Sequence, residues 1–246
     1  MFQRLLLVTC VVVLAWVPLG ARADSEAEFG MWSALFITGQ LHAKAPGLMA
    51  WFDTQGRREA NRSAAVFRPG IGYQVQPWMS VWGGYAWVPV FADATGTRAD
   101  EHQTWEQLTL EYRSIPGFLF QSRTRLEQRF GSGDIGYRYR QAARFNYQPK
   151  SSFPLGVILW DEVFLGAGAR SHWKNGFDQN RLFAGPAFFA ADGAFRAEVG
   201  YQSNYLARAV DRTVHLLVVN LFVSLQGKNY RPTTRPNNAV PPQALP

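Results

Sequence analysis

Arg123, Arg125, Glu127 and Arg129 occupy alternate positions of one segment, and the pattern returns as Arg138, Arg140 and Arg144 and again as Arg196 and Glu198. A guanidinium group offers a rigid fork of donors to an oxyanion, so such a set can pair with carboxylates or attract anions. A second polar set carries groups of another kind: Glu101, His102 and Gln103, then Ser171, His172 and Trp173, then Asp178, Gln179, Asn180 and Arg181. A histidine beside a carboxylate can act as a general base, with a serine or a water as nucleophile.

The elements that position these residues follow from a period of two. Gln121, Arg123, Arg125, Glu127 and Arg129 alternate with Phe118, Phe120, Ser122, Thr124, Leu126 and Phe130. In a β-strand successive side chains point to opposite faces, so one face is ionic and the other apolar. Arg138, Arg140, Arg144 and Asn146 stand likewise against Tyr137, Tyr139, Phe145 and Tyr147, and Arg196, Glu198, Gln202 and Asn204 against Phe195, Val199, Tyr201 and Tyr205. Eleven strand-like segments are read: 31–41, 48–58, 63–76, 78–90, 104–113, 118–130, 136–148, 153–164, 180–190, 194–206 and 213–226. Short turns such as Gln76-Pro77 and Ala191-Asp192-Gly193 alternate with longer stretches at 91–103 and 166–179. That alternation is expected of a membrane barrel with short periplasmic turns and long outer loops. Twelve residues at about 3.3 Å each, tilted by about 40°, project to roughly 30 Å, enough for an apolar band of about 25 Å. Aromatics such as Trp32, Trp78, Trp105, Tyr137 and Tyr147 fall near segment ends, where a membrane interface favours them.

The fold class expected is therefore all-β: a single-chain antiparallel transmembrane β-barrel of ten to twelve strands with a charged lumen. Bacterial single-chain barrels have an even strand number and both termini in the periplasm. Parity thus predicts a twelfth strand near residues 24–62, with ten as the fallback. A soluble secreted β-sandwich shows the same alternation with its faces reversed and is the competing architecture.

The ends extend this picture. Arg4, the apolar run Leu5 to Leu19 and Ala21-Arg22-Ala23 read as a cleaved signal peptide over 1–23. The barrel is expected over 24–226, followed by a proline-rich, disordered periplasmic tail over 227–246. Cys10, the one cysteine, falls in the signal, which removes disulfide, thiolate-metal and cysteine-nucleophile chemistry from the mature chain. The formal charge of +7 is spread as single arginines among apolar residues, unlike the clustered patch of a nucleic-acid binder. Val214 to Leu225, the nearest approach to a membrane helix, is interrupted by His215 and Asn220 and falls short of the roughly 20 apolar residues needed.

Several motifs run in order along the chain. They include Trp32, Arg57 or Arg58, Arg68-Pro69-Gly70-Ile71-Gly72-Tyr73, Gly83-Gly84-Tyr85-Ala86-Trp87 and Glu101-His102-Gln103-Thr104-Trp105-Glu106-Gln107. Then follow Arg123 to Arg129, Arg138-Tyr139-Arg140, Asp161-Glu162-Val163-Phe164, Phe177-Asp178-Gln179-Asn180-Arg181, Glu198-Val199-Gly200-Tyr201 and His215. In order and spacing the chain resembles an uncharacterised bacterial outer-membrane family, domain of unknown function 2490, over about residues 31 to 226. The resemblance implies a membrane β-barrel and no activity. The proline-rich tail departs from the family pattern, in which the last strand lies near the C-terminus.

The residues expected to line the lumen are Glu111, Arg113, Arg123, Arg125, Glu127, Arg129, Arg138, Arg140, Arg144, Glu162, Arg181, Arg196 and Glu198. They fit either an Arg–Glu ladder that fills a narrow barrel or a basic conduit for anions. His102, His172 and Asp178 are the candidates for rim catalysis, against a reading in which they cap turns. The functional expectation is an integral outer-membrane barrel with a structural, binding or passive anion-preferring role. The alternatives are a rim hydrolase acting on lipid or peptide and a soluble secreted protein. No phosphate loop or metal-ligand spacing is present, so no cofactor or metal is expected. Expected partners are outer-membrane lipids including lipopolysaccharide, and the outer-membrane assembly machinery, with no nucleic acid.

Overall fold

Segments with one ionic and one apolar face cannot bury both faces in one medium, and a sheet that closes on itself separates the two. The computed structural model describes residues 26–42, 44–131, 134–149, 154–168, 175–190 and 194–225. The segment 1–23 expected to be a signal peptide, the tail 227–246 and His172 lie outside the described residues. The strands are β1 (Glu26–His42), β2 (Ala45–Glu59), β3 (Arg62–Gln76), β4 (Met79–Ala92), β5 (Thr97–Tyr112), β6 (Phe118–Gly131), β7 (Asp134–Tyr147), β8 (Leu155–Gly168), β9 (Gly176–Ala190), β10 (Phe195–Leu206) and β11 (Arg212–Leu225). They form one closed barrel in which sequence neighbours pair antiparallel and β1 pairs with β11.

Each of the eleven segments read from the sequence overlaps one strand, and the expectation of twelve strands, or ten, is overturned. The parity argument assumed an antiparallel closure. In a meander of eleven strands the first and last run in the same direction, so the seam closes as a parallel ladder from Glu26↔Arg212 to Gly39↔Leu225. The expectation of an all-antiparallel barrel is corrected at this one pair. Parallel pairing is slightly weaker per residue, and side chains reinforce it here. Phe36 stacks on its register partner Phe222 at 4.6 Å inside the barrel. Phe29 meets His215 at 5.4 Å outside. Arg212 pairs with Glu28 at 2.9 Å and with Glu59 at 3.0 Å, tying β11 to β1 and β2.

Loop lengths do not alternate. One end carries the connections 60–61, 93–96, 132–133, 169–175 and 207–211, and the other carries 43–44, 77–78, 113–117, 148–154 and 191–194. The stretch 91–103 is mostly strand, because Glu101, His102 and Gln103 keep the two-residue period and pair with Val88, Trp87 and Ala86.

Outward positions are largely apolar and exposed, including Phe52, Leu126, Leu159, Leu182, Val199 and Leu217. Aromatics gather toward both rims: Phe29, Phe91, Phe130 and Tyr137 at one end, Tyr73, Trp78, Tyr147 and Phe188 at the other. Polar groups on this face satisfy one another. Gln128 donates to Glu106 at 3.1 Å, and Thr124 and Tyr139 donate to Gln141 at 2.7 and 2.9 Å.

Inside, one apolar cluster centres on Phe36, Trp51, Trp82, Trp105 and Phe222, and another on Trp32, Ile158, Trp160, Phe183 and Leu216. Gly70 and Gly84 are register partners on β3 and β4, and the Trp105 ring lies over both. A Cβ on Gly84 would approach that ring to 2.6 Å and the Pro69 carbonyl to 2.3 Å.

Candidate functional site: a charged interior and an open vestibule

The inward face of β6 presents Gln121, Arg123, Arg125 and Glu127, all at most 1% exposed. Strand register then decides their partners. Glu162 on β8 accepts from Arg123, and Arg140 on β7 reaches both of its oxygens at 2.7 and 2.9 Å. Glu127 accepts from Arg140 at 2.7 Å and from Arg138 at 2.6 Å. Arg125 donates twice to Gln107 Oε1, at 2.9 and 2.6 Å, and lies 4.7 Å from the Trp105 ring centre. Asp53 accepts from Trp51 Nε1 at 2.7 Å, Gln55 at 2.8 Å and Arg68 at 3.3 Å. Toward the end that carries 113–117, Glu198 pairs with Arg144 and with Arg196 at 2.6 Å, and Arg196 lies 3.8 Å from the Phe222 ring centre. Glu111 there binds Arg113 at 2.7 Å and Gln121 at 2.8 Å. Charges this deep persist because each of these carboxylates meets at least one guanidinium, and long side chains lay their aliphatic stems along apolar neighbours.

Among the described residues, this packing leaves no aqueous bore at mid-height. Arg123, Arg125, Arg144, Glu162 and Glu198 are 0% exposed, as are Phe164 and Phe183. A channel wide enough for water would leave inward side chains accessible.

The end that carries 60–61 is open instead. A cavity of about 420 Å³ enters there, lined by eight arginines (57, 62, 68, 129, 138, 140, 181, 208) against Glu59, Glu101 and Asp178. Arg68 and Arg140 stand deepest among these, both 2% exposed. At the rim Arg129 forms a two-pronged contact with Glu101 at 2.5 and 2.7 Å, Arg62 bonds Glu59 at 3.0 Å, and Arg208 bonds Asp178 at 2.7 Å.

Among the described residues, the rim groups that could do acid–base chemistry do not converge. Glu101 points inward to Arg129, whereas His102 is exposed on the outer face and shares a hydrogen bond with Tyr85. Asp178 faces Arg208 inside the rim, and Asn180 donates to Asp161 on the opposite face of the sheet at 2.8 Å. His215 pairs on the outer face with Tyr201.

Arg57, Arg68, Asp53 and Glu59, which take part in the vestibule and its floor, were not among the expected lumen residues. The signal was present: Asp53, Gln55, Arg57 and Glu59 alternate along β2 just as the β6 residues do.

A family model described as "Protein of unknown function (DUF2490)" matches residues 29–215. The chain belongs to this family. The match runs from near the start of β1 to the start of β11, so the DUF2490 region spans nearly the whole barrel. A relative from Methylorubrum extorquens, itself described as an uncharacterized protein, is 28% identical over 224 residues, covering 85% of this chain and 94% of the relative. No solved structure matches the chain. The DUF2490 barrel is thus an all-β, eleven-strand closed barrel of a family without an assigned function.

Proposed function

We propose that this DUF2490 barrel is an integral outer-membrane protein with a filled lumen, exported by the segment 1–23, whose role is structural and ligand-binding rather than that of an open pore. The observation that carries this reading is inverted polarity: paired charges are buried inside the barrel while large apolar side chains line its outer face. A sheet protein dissolved in water does the reverse. The aromatic belts near both rims fit the two membrane interfaces. Strands of 14 residues, such as β6, rise about 46 Å along the strand and roughly 35 Å along a barrel axis tilted by about 40°. That exceeds the hydrocarbon band. The dry mid-section favours the filled-lumen role over passive conduction.

Fractionation tests the membrane assignment. The protein is expected in the membrane fraction, resistant to carbonate and released by detergent; recovery from the periplasm without detergent would restore the soluble alternative. Planar bilayers test the filled lumen. Steady conductance should be absent, and an anion-selective current reduced by Arg125→Glu with Arg140→Glu would favour the conduit instead.

A further inference from the structure

We propose that Trp32, Arg57 and Arg181 form a binding site for an oxyanion, phosphate or carboxylate, carried on a small water-soluble molecule that enters the vestibule. The proposal gives a ligand class to the binding role above, and it rests on that reading in taking the vestibule as closed at its floor.

Most vestibule arginines already have a carboxylate partner. Six of the eight vestibule arginines each hold a carboxylate. Arg57 and Arg181 form no ion pair among the described residues. Their nearest candidates are taken: Glu59, two residues from Arg57 on the same face, binds Arg62 and Arg212. Glu162, the register partner of Arg181, binds Arg123 and Arg140. Neutral groups hold the two guanidiniums. Arg57 donates to the Gln55 amide oxygen at 2.7 Å. Arg181 donates from Nε and Nη2 to the Gln179 amide oxygen at 2.6 and 3.2 Å, in the amide orientation that satisfies both residues.

Both cations lie over one ring. The guanidinium carbons of Arg57 and Arg181 are 4.5 and 4.8 Å from the centre of the Trp32 indole. The ring quadrupole attracts each cation, but among the described residues neither guanidinium has a carboxylate at ion-pair distance to offset its charge. Around the Trp32 ring the unused hydrogen-bonding capacity is that of donors, whereas elsewhere in the lining Gln103 Oε1 is an acceptor without a partner. Trp32 is 8% exposed and lines the cavity, and its Nε1 has no acceptor in the protein; Arg57 Nε also has none. Indole and guanidinium groups donate and never accept. A ligand completing this wall must therefore bring acceptors and negative charge, which an oxyanion supplies through short, charge-assisted bonds. The cavity volume of about 420 Å³ suits a molecule of sugar-phosphate size. The barrel wall separates the site from the apolar outer face, which favours a soluble molecule over a lipid headgroup.

The test uses the full chain, folded in neutral detergent, and isothermal titration with glucose 6-phosphate, inorganic phosphate and glucose. Saturable binding of glucose 6-phosphate is expected, competed by inorganic phosphate and not by glucose. Arg57→Gln and Arg181→Gln should each weaken it by about tenfold. Trp32→Phe should weaken it by a smaller factor, because it keeps a ring beneath both cations and removes one donor. Arg113→Gln, at the far end of the barrel, should leave it unchanged. Melting curves identify variants that fail to fold, and Trp32→Phe carries the test if an arginine variant does. Absence of saturable binding to both phosphates, an equal loss in Arg113→Gln, or saturation only by phosphatidylglycerol added to the micelles would overturn the site. Membrane insertion is scored separately by heat-dependent gel mobility, so an inserted barrel that binds nothing removes this site and leaves the membrane assignment standing.

Discussion

Glu162 shows how single residues hold this interior together. It is fully buried and takes Arg123 and Arg140 at once. Such a cluster adds little net stability over an apolar packing of the same volume, yet removing one member leaves charges buried without a counterpart. Glu162→Gln is therefore expected to destabilise the folded barrel by about 3–5 kcal/mol, read from unfolding in urea with detergent present. Glu106→Gln, on the exposed outer face, should change stability by less than about 1 kcal/mol. Equal effects would mean that burial does not govern the interior charges. The alternation of Arg123, Arg125 and Glu127 was readable because it is written into consecutive residues. Their partners were not, since Glu162 lies on a different hairpin.

At the scale of strands, β3 and β4 are shaped around one indole. Gly70 and Gly84 sit side by side under Trp105, and their absent side chains let a large ring lie flat against the wall. Gly84→Ala should cost about 1–3 kcal/mol or block assembly, because the new methyl meets backbone on one side and the ring on the other. Gly83→Ala, whose added methyl would find its nearest neighbour at 3.7 Å, should be tolerated. The folded fraction on unheated gels compares the two. The sequence placed Gly70 and Gly84 within strand segments. Which side chain needed the room depended on β5 standing beside β4. The stretch 91–103 misled for a related reason: its polar composition resembles a loop, while Arg98 and Asp100 bridge each other side by side at 2.8 Å on a continuing strand.

For the whole molecule, each strand carries the chain from one end of the barrel to the other, so successive connections lie at opposite ends. Lys44 in the β1–β2 connection and Asn61 in the β2–β3 turn lie at opposite ends of the barrel, both exposed. In the proposed membrane setting, Lys44→Cys and Asn61→Cys should differ in intact cells: one reacts with a membrane-impermeant maleimide and the other only after lysis. Reaction of both in intact cells would argue against a spanning barrel. Background is low, because Cys10 is the chain's one cysteine and falls in the proposed export segment.

The two-residue period by itself determined the all-β class, where eleven strand segments run and which side chains share a face, because pleating is local and each strand carries its own record of it; it did not set the strand count of the barrel, which parity put at twelve. Only the tertiary structure decided the parallel seam, the closed mid-section and the pair of arginines left without carboxylates. Those depend on contacts between residues far apart in the chain, such as Arg212 with Glu59, 153 positions away, and no local pattern specifies which strands meet once a sheet curls into a ring.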